Sequence, residues 1–116
     1  MTSIGANAFS GRVKLSSVPL YEKLQEIGAG AYKNCSALQE ITICVKVNSI
    51  GKNAFNGCAN LLKVILKTKK LTADNVGAGA FKGNPKKAVY TCPKGKKESY
   101  KEILTKKGAS KKATYQ

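Results

Sequence analysis

Residues 50–61 read Ile-Gly-Lys-Asn-Ala-Phe-Asn-Gly-Cys-Ala-Asn-Leu, and related stretches occur three more times in the chain. The copies begin at Ile4, Ile27, Ile50 and Val76, so the first three are 23 residues apart and the last begins 26 residues further on. A unit of this length cannot bury its own apolar face, and units that repeat at a fixed period stack as the coils of a solenoid. The period therefore predicts a solenoid of about four coils.

Each coil also carries a short alternation of apolar residues. Ile41-x-Ile43 is the clearest case, and Val18-x-Leu20 and Val64-x-Leu66 occupy the same phase. Side chains two residues apart point to the same side of a strand. The alternation predicts one strand per coil, with these residues inward and the residues between them outward. Cys44 continues the outward phase.

The other half of each unit reads Ile-Gly-x-x-Ala-aromatic. The glycine permits a bend that a Cβ would obstruct, and we expect the aromatic side chains to fill the core behind the sheet. Two residues after each aromatic comes glycine or asparagine, which suits a turn with positive φ. The aromatic column is Phe9, Tyr32, Phe55 and Phe81, and the turn column is Gly11, Asn34, Gly57 and Gly83.

The full pattern, Ile-Gly-x-x-Ala-Phe-x-x-Cys-x-x-Leu-x-x-Ile-x-Ile, resembles the BspA-type (Treponema pallidum-type) leucine-rich repeat family of bacterial cell-surface proteins. Residues 27–43 and 50–66 match it almost in full. The first copy has Arg12 at the cysteine position, and the last has Pro85 and Lys87 in place of the usual polar residue and leucine. The resemblance covers about residues 4–93. It implies a leucine-rich repeat solenoid, a right-handed β/α superhelix with a short parallel sheet of about four strands.

The sequence divides into repeats over residues 1–93 and a basic C-terminal region over residues 94–116. In the segment 89–93, Tyr90 and Cys92 take inward places, and the proline that follows ends the ladder. Residues 96–106 carry apolar side chains at helical spacing, and Gly108 fits a stop after the last turn. We expect a helix that caps the open end of the solenoid, followed by a frayed tail or a short edge strand.

The repeat pattern begins at Ile4 without a polar cap, although repeat arrays normally require one. We therefore expect this chain to be the C-terminal fragment of a longer protein. Its open first coil, with Ile4 and Phe9 partly exposed, should self-associate or be disordered. Because the first repeat begins directly after Met1-Thr2-Ser3, we expect no signal peptide in this chain. It has no apolar run near the roughly 20 residues of a transmembrane helix.

Residue types that support catalysis are scarce. The chain has no histidine, Asp74 is its only aspartate, and its glutamates are scattered in repeat phase. A paired acid–base site is therefore hard to assemble, and the sequence predicts no enzyme activity and no cofactor.

The four cysteines, Cys35, Cys44, Cys58 and Cys92, lack the close pairs of a zinc site. Cys35 and Cys58 share one repeat phase and should lie on adjacent coils within bonding reach. We favour buried free thiols, with a Cys35–Cys58 disulfide and metal or redox chemistry as alternatives. Cys44, outward on its strand, should be the most reactive thiol.

The chain has a formal net charge of +15, and its lysines concentrate towards the C-terminus. They form either a solvated face or a surface that attracts anionic polymers such as those of a cell wall. Nucleic acid is disfavoured as a partner, because the chain has one arginine and its aromatics are needed in the core. The candidate polyanion contact is Lys94, Lys96, Lys97, Lys106, Lys107, Lys111 and Lys112.

The family resemblance implies a secreted or cell-surface location, outside the cell, and a function in adhesion or binding of host or cell-surface proteins. The partner would contact the outward side chains of the sheet. The candidate contact residues are Tyr21, Glu40, Thr42, Lys63, Ile65 and Lys67. The alternative is a structural C-terminal cap of a longer surface protein, whose lysines hold an anionic cell-wall polymer.

Overall fold

The computed structural model describes residues 2–18 and 21–116. Along these residues the chain forms β1 (Ser3–Ile4), β2 (Glu26–Ile27), β3 (Glu40–Ile43), β4 (Ser49–Ile50), β5 (Lys63–Leu66), β6 (Val89–Thr91), α1 (Lys97–Lys106) and β7 (Thr114–Tyr115). All strand pairs are parallel. The result is a leucine-rich repeat solenoid of about five turns with a C-terminal helix, which confirms the predicted fold class.

Two parallel sheets run along the stack, where the sequence predicted one. The larger has the order β3-β5-β6-β7, and the smaller has the order β1-β2-β4. The smaller sheet contains the isoleucine of each Ile-Gly pair in two-residue strands, which are too short to show an alternating pattern. Val18 lies in no strand, and Leu20 falls outside the described residues. The fourth strand of the larger sheet is instead β7, from the tail.

The aromatic column predicted from the repeat is confirmed. The rings of Phe9, Tyr32, Phe55 and Phe81 stack on one another at centroid distances of 5.2, 5.3 and 5.4 Å, with interplanar angles of at most 16°. Tyr90 then meets Phe81 edge-on at 5.9 Å. The column runs through the core of the four repeat coils and links each of them to its neighbour.

The turn segments opposite the larger sheet are hydrogen-bonded both within and between coils. Alternate N–H groups donate to the next coil, as Tyr32 does to the Ala54 carbonyl at 2.8 Å and Phe55 to the Ala80 carbonyl at 2.8 Å. The N–H groups between them close turns three residues back within the same coil, so that the segment needs no helix to satisfy its backbone. The helical half that the β/α description implies is a run of turns in the described coils.

Left-handed residues form two columns in these turns. The predicted column is confirmed, with φ of 74° at Gly11, 59° at Asn34, 82° at Gly57 and 82° at Gly83. A second column, which the sequence interpretation missed, has φ of 58° at Asn7, 65° at Gly30, 58° at Asn53 and 70° at Gly79. Glycine and asparagine are the residues that adopt this conformation most readily.

Each asparagine in these columns is followed by a glycine on the next coil, because the coils are close together. The Oδ1 atom of each asparagine occupies the space that a Cβ on the next coil's residue would need. The pairs are Asn7 with Gly30, Asn34 with Gly57, and Asn53 with Gly79. An asparagine on one coil therefore requires a glycine at the same place on the next.

The glycine of each Ile-Gly pair has a different role, which is to allow close backbone approach. A Cβ added to Gly28 would lie 2.6 Å from the Ala6 nitrogen, and one on Gly51 or Gly77 would collide with the backbone of the preceding coil in the same way. Gly5, in the first coil, has no atom of the described residues within 4 Å of the corresponding point, apart from those of its own chain neighbours.

The C-terminal helix covers the last coil through one buried tyrosine and its backbone. The Tyr100 hydroxyl donates to the Thr68 carbonyl at 2.6 Å and accepts from the Leu71 N–H at 3.3 Å. At the end of α1 the Lys107 carbonyl accepts from the Phe81 N–H at 3.0 Å, as a further coil would. At the other end, Ile4 is only 4% exposed, so its expected partial exposure is wrong. Phe9 is partly buried, as expected.

Replacing Gly51 with alanine should lower the free energy of unfolding by about 1–3 kcal/mol, because the added methyl group overpacks a backbone contact. Gly5→Ala is the matched control. It adds the same atom at the same repeat position into open space, and should be neutral or stabilising by up to about 1 kcal/mol. Denaturant unfolding followed by circular dichroism measures both changes. Equal effects of the two substitutions would contradict the close-approach account.

Candidate protein-contact face

The outward side chains of β3 and β5 form two straight rows across the larger sheet. Glu40 pairs in register with Lys63, and Thr42 with Ile65. Glu40 and Lys63 are exposed, while Thr42 and Ile65 are partly exposed between them. The burial alternates strictly in both strands, so the four predicted residues lie on one side and their inward neighbours in the core.

The same two rows continue onto strands that the sequence interpretation did not include. Val89 aligns with Lys63, and Thr91 with Ile65, while Thr114 aligns with Val89 on the last strand. Val89 and Thr91 are partly exposed and Thr114 is exposed. The signal for the first two was available, because placing Tyr90 inward implies that its neighbours point outward. We call the rows together the contact face.

A shallow groove of about 360 Å³ borders the contact face just beyond the ends of its strands. It is lined by Glu22, Lys23, Cys44, Val45, Lys46 and Lys67. Lys67 is exposed on its wall, and Val45 is 57% exposed. Tyr21, the sixth predicted contact residue, is partly buried and packs against the core. It therefore presents only part of its ring to a partner.

Cys44 is buried and not outward as the sequence predicted. It is 6% exposed. β3 ends at Ile43, and the Cys44 carbonyl accepts a hydrogen bond from the Val47 N–H at 3.2 Å, which starts a turn. The alternation of the strand does not extend to residue 44, because the backbone no longer follows the strand there.

Charge on the contact face is partly compensated. Glu40 and Lys63 form an ion pair at 3.9 Å, with side chains 53% and 56% exposed. An exposed pair at this distance contributes little to stability. Lys67 has no carboxylate within salt-bridge distance among the described residues. The face is therefore neutral over its first row and positive towards the groove, where exposed Lys23 and Lys46 outnumber the exposed Glu22.

The seven lysines of the candidate polyanion contact do not form one patch. Lys94, Lys96 and Lys97 precede or begin α1, whereas Lys106 and Lys107 lie at its far end. A ten-residue helix separates the two groups by about 15 Å. Lys106 also pairs with Glu102 at 3.1 Å. Lys111 and Lys112 are exposed in the loop before β7.

The four cysteines are free thiols. Cys35 and Cys58 are fully buried and donate to the backbone carbonyls of Phe9 and Tyr32 on the preceding coil, at 3.0 and 3.1 Å. Burial raises the pKa of the Cys35 thiol, and raises the pKa of Cys58 from 9.0 to about 12. These two thiols therefore serve as small core groups that hydrogen-bond adjacent coils.

Cys92 is the most accessible of the thiols. It is partly buried, which raises the pKa of its thiol, and the neighbouring Lys97 ammonium counteracts part of that rise. In residues 2–18 and 21–116, no three histidine, cysteine, aspartate or glutamate side chains lie close enough to one another to hold a metal ion.

Two buried tyrosines, Tyr90 and Tyr100, use their hydroxyl groups in hydrogen bonds within the fold. Burial raises the pKa of Tyr90 and Tyr100, and their hydroxyls meet Asn84 and the Thr68 carbonyl. Asp74 is exposed, in the longer loop before Val76. That loop is held by its own residues, since the Thr72 N–H donates to Asn75 Oδ1 at 2.7 Å.

Comparison with family models places the chain in a known repeat class. A model described as the BspA type leucine rich repeat region matches residues 1–106 in six copies. The chain therefore belongs to the BspA-type leucine-rich repeat family, whose members are typically surface-associated. Searches of curated proteins and of solved structures gave no match. Among the described residues, no helix has the length and apolar character to cross a membrane.

Alkylation of the native protein should label Cys92 first, because it is the most exposed thiol and lies near a lysine. Cys44 should follow slowly, and Cys35 and Cys58 should react only after unfolding. Peptide mass spectrometry over a time course at about pH 8 measures the order, with Cys92→Ser as the control that removes the fast phase. Labelling of Cys44 before Cys92 would contradict the buried placement of Cys44.

Proposed function

We propose that this chain is a non-catalytic protein-binding module of a secreted or cell-surface protein, and that it binds its partner through the contact face. Adhesion to a host or cell-surface protein is the specific form we infer. Membership of a surface-associated repeat family supports the location, and the arrangement of the larger sheet supports the mode of binding.

The observation that carries the proposal is the position of Ile65. It lies centrally on the contact face, with Thr42 and Thr91 beside it in register. Its side chain is partly exposed, while the exposed ion pair of Glu40 and Lys63 lies along the neighbouring row. An apolar centre bordered by polar and charged groups is the arrangement of protein-binding hot spots.

The groove extends the same surface at one end. Val45 is a large apolar residue that is 57% exposed. Three lysines, Lys23, Lys46 and Lys67, line the same groove together with one carboxylate, Glu22, so its net charge is positive. A partner segment with an apolar side chain flanked by acidic residues would complement this end of the face. The charged border would then govern the rate of association and its salt dependence, while the apolar contacts would govern its lifetime.

The second candidate function is retention on an anionic cell-wall polymer. The net charge of +15 favours it. Two ion pairs with carboxylates form among the described residues, so most lysines are available. A flexible polyanion could contact the lysines at both ends of α1, whereas a compact anion could not. In this reading the chain is the structural cap of a longer surface protein.

A single arginine substitution separates the two functions. Ile65→Arg places a long charged side chain in the centre of the contact face and adds positive charge. It should weaken binding to a protein partner at least tenfold, equivalent to about 1.4 kcal/mol, and leave polyanion binding unchanged or stronger. Ala59→Arg adds the same charge at an exposed turn position off the face, and is the matched control.

Binding is measured to a panel of immobilised host extracellular-matrix proteins and, separately, to teichoic acid beads at low and high salt. Loss of matrix-protein binding in Ile65→Arg but not in Ala59→Arg supports the contact face. Equal binding of both variants to the matrix proteins would contradict the contact face. Retention on the teichoic acid beads at low salt that disappears entirely at high salt would support the polyanion function.

A further inference from the structure

The N-terminal side of the first coil has the features of an inter-coil interface. Gly5 occupies the place where Gly28, Gly51 and Gly77 allow the preceding backbone to approach. Apart from its own chain neighbours, no atom of residues 2–18 and 21–116 lies within 4 Å of its Cβ position. Gly11 is likewise open, whereas its counterpart Gly57 faces Asn34 of the coil before it. Two glycines thus leave space that no described residue fills.

A row of free hydrogen-bond acceptors lies along the same surface. The carbonyls of Ala29, Ala31 and Lys33 each accept an N–H from the coil before them. Their counterparts in the first coil are Ala6, Ala8 and Ser10. No donor reaches these three carbonyls among residues 2–18 and 21–116. The surface therefore continues the established coil–coil interface. A binding partner must present a row of N–H donors to these three carbonyls.

A second copy of this chain does not supply that row. Two such faces placed together would oppose carbonyls to carbonyls along their turn segments. The other end of the molecule is covered, since the Lys107 carbonyl already accepts from the Phe81 N–H and Gly108 packs on Lys82. The expected self-association through the first coil therefore lacks complementary hydrogen bonds in this segment. A repeat coil with a free edge provides them.

The left-handed columns restrict which coil fits. Asn7 carries a Cβ, and an asparagine before it in the same column would collide with that atom, as Asn7 would with a Cβ on Gly30. Glycine fits there, because it has no side chain to meet Asn7 and adopts the left-handed conformation readily. Gly11, by contrast, leaves the room that Gly57 leaves for Asn34. The second coil, with Gly30 and Asn34, has the matching pattern.

We propose that the N-terminal face of the first coil docks a further coil of this same repeat, with glycine at the first left-handed position and asparagine at the second. The incoming coil donates three N–H groups to the carbonyls of Ala6, Ala8 and Ser10 and places an aromatic ring on Phe9. This proposal concerns a different surface from the contact face and does not depend on the proposed function.

The test is an extended chain in which a second copy of residues 27–49 is inserted between Ser3 and Ile4, which keeps the 23-residue period. Its matched control carries Gly30→Asn and Asn34→Gly in the inserted copy only. The two inserts have identical composition and length. Both residues tolerate the left-handed conformation, so the inserts differ in how they meet Asn7 and Gly11.

The matching insert should raise the thermal midpoint of the chain by at least about 5 °C, and the swapped insert by less than half as much. Amide hydrogen exchange should slow at the inserted residues that correspond to 30, 32 and 34. Equal midpoints for the two inserts, or fast exchange at those amides in the matching insert, would overturn the proposal.

Gly5→Ala provides a second readout on the same face. In the parent chain the methyl group enters open space and leaves the midpoint unchanged or higher. In the extended chain it meets the backbone of the docked coil and should lower the midpoint by several degrees. Equal tolerance in both chains would overturn the proposal. So would a parent chain that is dimeric by light scattering and that Gly5→Arg converts to a monomer, because a second copy of the chain would then cover this face.

Discussion

The structure depends on the close approach of successive backbones in the turn segments. N–H groups there donate across to the next coil at 2.7–3.1 Å, and the backbones can come this close because the glycines of the Ile-Gly pairs have no Cβ. The distance between neighbouring coils in the turn segments also sets their distance in the core and in the two sheets. It places the aromatic rings 5.2–5.4 Å apart, within the range in which offset aromatic pairs are favourable. It also keeps both parallel sheets in register across coils whose loops differ in length.

Much of the fold could be predicted because the repeat keeps the same residue types in phase. The period alone places Phe9, Tyr32, Phe55 and Phe81 in a column, and helical spacing around Tyr100 locates the cap. The smaller sheet could not be predicted, because its strands have two residues each and therefore show no alternation of apolar and polar residues. The left-handed column at Asn7 and Gly30 was missed for another reason, since alternating residue types hide a shared conformation until the contact between coils is seen.

Some residues of the candidate site could likewise be placed from the sequence, and others could not. Strand alternation placed Glu40, Thr42, Lys63 and Ile65 on one surface, where the structure has them. Cys44 was misplaced because alternation holds only as far as the strand does, and a turn begins there. The lysines of the C-terminal region were assigned by composition, which carries no information on distance, and α1 separates them into groups. Which partner the contact face binds depends on chemistry outside this chain.

Each of the first three coils is held in register with the next by an asparagine that lies over a glycine. A double-mutant cycle on Asn34 and Gly57 tests it most directly, with free energies of unfolding measured for the parent, Gly57→Asn, Asn34→Gly and the double variant. Gly57→Asn alone should be destabilising, because two asparagines then meet. The double variant should recover most of the loss, with a coupling energy of about 1 kcal/mol or more. Additive effects of the two substitutions would contradict the claim.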